Sequence, residues 1–148
     1  MLEALKQAQI AYDLGEVPVG AVITQRLNGK IIAKAHNMMQ TSGNPLKHAE
    51  MIVIDMACKK LGNKNLSNCD LYVSLEPCAM CASAVSHSRL GRLFYGASDQ
   101  KQGAVENGVR FFTNTSCHWR PEVYHGMLFY ESQELMQNFF KRIRNDGV

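Results

Sequence analysis

The chain has 148 residues, 46% hydrophobic and 20% charged, with a formal net charge of +3. This length fits a single domain, 1–148, and the composition excludes a disordered polyelectrolyte because it can build an apolar core. No apolar run approaches the ~18 residues of a bilayer span, no basic-then-apolar leader opens the chain, and the mild charge permits nucleic-acid binding without arguing for it; a cytoplasmic protein with no membrane partner is expected.

Along the chain, helical and strand patterns alternate, which predicts an α/β sandwich. Residues 2–14 put Leu2, Leu5, Ala8 and Tyr12 on one helical face, and Gly15 ends the helix. Residues 17–24 read as a strand despite Pro18. Asn28-Gly29 is a hairpin signal, returning through residues 31–35. A polar loop fills 37–47. A helical period resumes from about 48 to 61, with Ala49, Ile52, Val53, Met56 and Ala57 on one face and Gly62 as C-cap. Residues 71–75 form a short buried strand, Pro77 breaks it, and 78–87 can form a helix. A strand at 92–96, a polar loop at 98–108, a fifth strand at 122–125 and a final helix at 127–144 complete the reading.

Five cysteines, an odd number in a chain read as cytoplasmic, argue against a disulfide framework. Cys78 and Cys81 sit three apart, on one face of a helix. With one nitrogen ligand they make a three-ligand zinc site of the catalytic kind, open at its fourth position. His48 is the candidate third ligand, giving one Zn²⁺ per chain. Two thiolates and a neutral imidazole balance its charge, and both ligand segments begin helices, whose positive ends favour thiolates. Glu50, two residues after His48, is placed beside the metal as a general base and then a general acid. Two other readings of the cysteine pair stay open on spacing alone: a redox pair, and a structural zinc completed by Cys117 or His118.

His48-Ala49-Glu50 followed by Pro77-Cys78-Ala79-Met80-Cys81 matches the known H-x-E…P-C-x-x-C signature of zinc deaminases. Beyond this motif the chain resembles the bacterial tRNA adenosine deaminases. The resemblance runs from about residue 2 to 144. It is carried by Glu16-Val17-Pro18-Val19-Gly20-Ala21, Leu71–Cys81, His87-Ser88-Arg89-Leu90-Gly91-Arg92, Gly96-Ala97-Ser98-Asp99-Gln100-Lys101 and Phe139-Phe140. It implies a three-layer α/β/α sandwich around a five-stranded mixed sheet, of the cytidine deaminase-like kind. It also implies a homodimer with each active site near the interface, and conversion of adenosine to inosine at the wobble position of a tRNA anticodon loop. By the same resemblance Asn37 would hydrogen-bond the flipped base, Asp99 would lie near the target ribose, and Phe140 and Arg144 would contact flanking nucleotides. The chain departs from the family pattern at Met38-Met39, at Ile143, in a longer hairpin around Asn28 and over residues 105–120. A free nucleobase or nucleoside deaminase of guanine or cytosine type shares the metal motif. A non-catalytic zinc-stabilised module that binds RNA or a partner would have no use for Glu50.

Overall fold

The computed structural model describes residues 1–147; Val148, the last residue of the expected domain, lies outside the described residues. The elements are α1 (Leu2–Asp13), β1 (Gly20–Gln25), β2 (Ile31–His36), α2 (Met39–Ser42), α3 (Ala49–Leu61), β3 (Cys69–Leu75), α4 (Ala79–His87), β4 (Arg92–Ala97), a 3-10 turn at Phe111–Thr113, β5 (Glu122–His125) and α5 (Phe129–Asn145). One five-stranded sheet has the order β2-β1-β3-β4-β5. β1 is antiparallel to both β2 and β3, while β3–β4 and β4–β5 are parallel. The sheet is therefore mixed, as the resemblance implies, with α4 making the crossover that a parallel β3–β4 pair requires.

Register explains the layers. Val22, Tyr72, Phe94 and Tyr124 are opposite one another along the sheet and point to one face. Gly20 and Gly96 lie on this face too, two residues from Val22 and Phe94. A Cβ on Gly20 would overlap the Ala4 carbonyl of α1, and one on Gly96 would come within 2.5 Å of Ser132 Oγ of α5. Both glycines thus let a helix approach closely, so α1 and α5 share this face. On the other face Ala21, Ile23, Leu71, Val73, Leu93 and Tyr95 form the core with Ala49, Val53 and Ala57 of α3 and Ala82 and Val85 of α4.

The structure differs from the sequence reading at four places. The first strand begins at Gly20, not at 17, because the Val19 N–H donates to the Val17 carbonyl (2.8 Å), closing a tight turn around Pro18. The buried face of α1 consists of Ala4, Ala8 and Ala11, with Leu2 68% exposed, because the close approach at Gly20 admits only small side chains. Met56 of α3 is also exposed, although Val53 and Ala57 beside it are buried. The polar loop after β2 contains the short α2, ended by Gly43 at φ 63°. The Thr41 N–H and hydroxyl tie it to the buried Glu16 carboxylate at 2.5 and 2.8 Å. No described helix is long and apolar enough to cross a membrane.

Candidate active site

His48 and Cys78 occupy equivalent local positions. Each has extended backbone (φ −72°, ψ 149° and φ −73°, ψ 175°) and caps the N-terminus of a helix, α3 and α4 respectively. Cys81 lies one turn into α4 and is fully buried. The two helix starts face each other, so His48 Nδ1 sits 3.6 Å from Cys78 Sγ and 3.5 Å from Cys81 Sγ. All three ligand atoms lie within 4.8 Å of one another. Tetrahedral zinc with bonds of ~2.0–2.1 Å to nitrogen and ~2.3 Å to sulfur puts N and S roughly 3.5–3.6 Å apart. The donor set and its spacing therefore fit one zinc ion.

Electrostatics agree with the geometry. The hydrogen bond with Cys81 is the main cause that pushes Cys78 down to about 4, with the His48 ring assisting and burial opposing. The same bond, together with burial, pushes Cys81 far up. A cation held by both sulfurs would displace the proton between them. The His48 ring is raised from its ordinary value chiefly by its bond to Cys78. Glu50, in the first turn of α3, is 4% exposed. Burial pushes its carboxyl up to about 7, and the negative Cys78 adds to this.

The site opens into a cavity of about 390 Å³, within the range of ligand pockets. It lies beyond the C-terminal ends of the parallel strands β3 and β4, which is where open α/β sheets bind ligands. His48, Glu50 and Cys78 line it together with Asn37, Asp99 and Phe140, so residues far apart in sequence converge here. Asn37 is buried, at 4% exposure. Asp99 also caps its own turn, its Oδ1 accepting the N–H groups of Lys101 (3.0 Å) and Gln102 (3.1 Å). Phe140 is 43% exposed, whereas Phe139 is buried and meets Tyr12 edge-on at 6.1 Å. Arg144 is exposed in the last turn of α5 and is not among the cavity residues. Its neighbour Arg142 is held against the fold: its guanidinium donates to the Tyr12 carbonyl at 3.0 Å and lies 4.2 Å from the Tyr12 ring centroid.

Cys117 is buried elsewhere, against Ser86 and the Trp119 carbonyl, so the metal group among the described residues comprises His48, Cys78 and Cys81 alone. Sequence reasoning missed Val17, Val19, Met39, Leu75, Glu76, Lys101, Gln102 and Met136, which also line the cavity. Met136 had a usable signal, because it precedes Phe140 by one helical turn.

The family model for the cytidine and deoxycytidylate deaminase zinc-binding region matches residues 1–97. A tRNA-specific adenosine deaminase of Rickettsia felis is 58% identical over 97% of this chain and 100% of its own length. One from Bacillus subtilis is 43% identical, covering 97% of this chain and 88% of its own. A solved structure from studies of A-to-I editing by tRNA:A34 deaminases at the wobble position of transfer RNA superposes with TM-score 0.88 at 49% identity, covering 91% of this chain and 96% of that one. The guanine deaminase of Nitrosomonas europaea, at TM-score 0.80 and 22% identity over 92% of this chain and 80% of that one, shares the fold.

Proposed function

We propose the function from a plain premise: the chain belongs to the zinc-binding cytidine and deoxycytidylate deaminase family and, within it, to the tRNA-specific adenosine deaminases. It catalyses the hydrolytic, zinc-dependent deamination of adenosine to inosine at the wobble position of a tRNA anticodon, consuming water and releasing ammonia. The observation that carries this reading is the His48–Cys78–Cys81 triangle with buried Glu50 on the wall of the same cavity.

His48, Cys78 and Cys81 would hold the zinc. When bound, that ion supplies Lewis acidity, lowering the pKa of a water toward neutrality so that it is a nucleophile at physiological pH. Everything else falls to the chain. An anticodon loop is single-stranded, so turning its base outward costs little. Val17, Val19, Leu75 and Met136 give the cavity apolar surface that excludes competing water. The Asn37 amide hydrogen-bonds the polar edge of the purine. Glu50 accepts a proton from the attacking water and delivers it to adenine N1, then takes the second proton from the hydroxyl added at C6 and gives it to the departing amine, which leaves as ammonia. A carboxyl whose burial lifts it to about 7 suits both directions of that transfer. Asp99 meets the target ribose, and Phe140 stacks on a flanking base. Arg144, exposed at the end of α5, meets phosphate.

The reading extends to a single deaminase domain over 1–148, acting in the cytoplasm, where tRNA is found. It also extends to a homodimer. Support for the dimer comes from the exposed apolar side chains Leu46, Met56 and Leu61 on and beside α3, and sedimentation against concentration tests it. The functional test is incubation with total tRNA followed by inosine detection, with chelated protein as control and guanine and cytosine as competing substrates. Inosine formation that chelation abolishes is expected. Turnover of the free bases without any inosine in tRNA refutes the assignment, and a purified protein holding no zinc refutes the site.

A further inference from the structure

Glu76 lies on the cavity wall and is 2% exposed, yet it belongs neither to the metal group nor to the proton-transfer step above. Its carboxylate instead gathers donors from the loop after β4. Oε1 accepts the Asn107 side-chain amide at 2.8 Å, the Ser98 hydroxyl at 3.2 Å and the Asp99 N–H at 3.3 Å. Oε2 accepts the N–H groups of Val105 at 3.2 Å and Asn107 at 3.3 Å. The loop closes tightly around this carboxylate. The Ala104 N–H donates to the Pro77 carbonyl at 2.9 Å, and Gly103 pairs with Cys78 in an isolated antiparallel bridge. A Cβ on Gly103 would overlap both the Glu76 carboxylate and the Asp99 carbonyl, so only glycine fits there.

All five donors come from residues 98–107, and three of them are backbone N–H groups. No single residue of the loop could satisfy them, and buried N–H groups without an acceptor are costly. An ionised carboxylate accepts at both oxygens, whereas an amide would turn an NH₂ toward some of these donors. The same loop carries Asp99, Lys101 and Gln102 to the cavity rim. Glu76 thus links that rim to Cys78, two residues further along the chain.

We propose that Glu76 is a positioning residue: it fixes the Asp99–Gln102 rim relative to the start of α4, and thereby sets how the nucleotides around the reacting base are held. The kinetic half of this inference rests on the tRNA reading of the same site; the loop-holding half does not.

The test compares wild type with Glu76→Gln, which removes acceptor capacity, and Gly103→Ala, which displaces the carboxylate while leaving the β3–α4 junction unmutated. Both should keep one zinc per chain. Amide exchange at Asp99, Val105 and Asn107 should accelerate about 10-fold or more, because these amides lose their acceptor. On an anticodon stem-loop, KM should rise by about 10-fold or more, up to about 100-fold, with kcat within about 3-fold. Unchanged exchange in both variants overturns the loop-holding role. A fall in kcat at constant KM overturns positioning in favour of chemistry, and loss of zinc from both variants assigns Glu76 to building the metal site instead. A wild-type protein inactive on the stem-loop refutes the functional reading and with it the kinetic half, while faster exchange in the variants would still support the loop-holding half.

Discussion

Replacing Glu50 with Gln should stabilise the metal-free protein while removing its activity. Burial lifts the Glu50 carboxyl from 4.5 to about 7. Between those values the folded chain retains a proton that the unfolded chain has lost, so stability falls as pH rises through this window. Above both, the full penalty applies. A difference of about 2.5 in pKa at ~1.4 kcal/mol each is roughly 3–4 kcal/mol. In a chain of this size that corresponds to about 10 °C in Tm. Gln has no charge to desolvate and escapes the penalty. Thermal unfolding of chelated wild type and Glu50→Gln at pH 4, 6 and 8 should show melting points that nearly coincide at pH 4 and separate progressively, with the variant higher at pH 8. Zinc should narrow the gap, since a nearby cation favours the carboxylate. Turnover of the zinc-loaded variant should fall about 10²–10⁴-fold, the usual contribution of a proton-transfer group. A Tm difference independent of pH, or a variant less stable than wild type at pH 8, would refute the desolvation reasoning. Near-normal turnover would refute the proton-transfer role.

Glu16 should behave in the opposite sense. Burial opposes its ionisation, but the hydrogen bonds from Thr41 and Gln40 prevail and hold it below 4.5. Its stabilisation should be fully present above pH 4.5 and lost as pH falls through its lowered folded value, so the Tm deficit of Glu16→Gln should shrink in acid; a constant deficit contradicts this. Gly96→Ala forces a Cβ within 2.5 Å of Ser132 Oγ and 2.7 Å of the Ser74 carbonyl; overpacking of this kind should cost about 1–3 kcal/mol in denaturant titration. The two arginines of the last turn should separate cleanly. Arg144→Ala should lower the salt slope of tRNA binding by about 1. Arg142→Ala should leave that slope unchanged and lower stability by about 0.5–2 kcal/mol through loss of its stacking on Tyr12.

What was legible in the sequence depended on how local its cause was. His48, Glu50, Cys78 and Cys81 could be read because each short motif sits at a helix start, where backbone geometry fixes side-chain direction over two or three residues. Asn28-Gly29 gave the hairpin for the same reason, Gly29 taking φ 70°. Errors arose where a distant partner decides. The alanine face of α1 depends on Gly20 of a neighbouring strand, and the leucines that periodicity favoured cannot approach it. The irregular loop 98–107 was recognised as a loop, but its order depends on Glu76, whose loop partners lie 22 to 31 residues downstream. No periodicity carries that information. Nothing in the sequence around Arg142 sets it apart from Arg144, yet its carbonyl partner lies 130 residues away on α1.

These observations share one electrostatic logic. Two helix N-termini converge on the metal group, and their positive ends favour thiolates at Cys78 and Cys81. Two thiolates and an imidazole leave zinc without net charge, so the metal centre alone neither attracts nor repels an anionic substrate strongly. The buried Glu50 then becomes the group whose charge is governed by what enters the cavity. Without metal its ionisation is opposed by both burial and the Cys78 charge; a cation removes the second obstacle and leaves the first. Burial is also what holds this carboxyl near neutrality, where it can both take and return a proton. A variant that relieved burial by opening the cavity should therefore be less able to complete the transfer, because a carboxyl restored toward 4.5 is a weaker base toward the attacking water and holds less of its acid form at neutral pH. Opening the wall at Leu75 tests this, since Leu75→Ala acts on the water content of the cavity and leaves Glu50 in place. A downward shift in the acidic limb of kcat with pH is expected, and an unmoved limb would place the cause of the raised value in the Cys78 charge instead of burial.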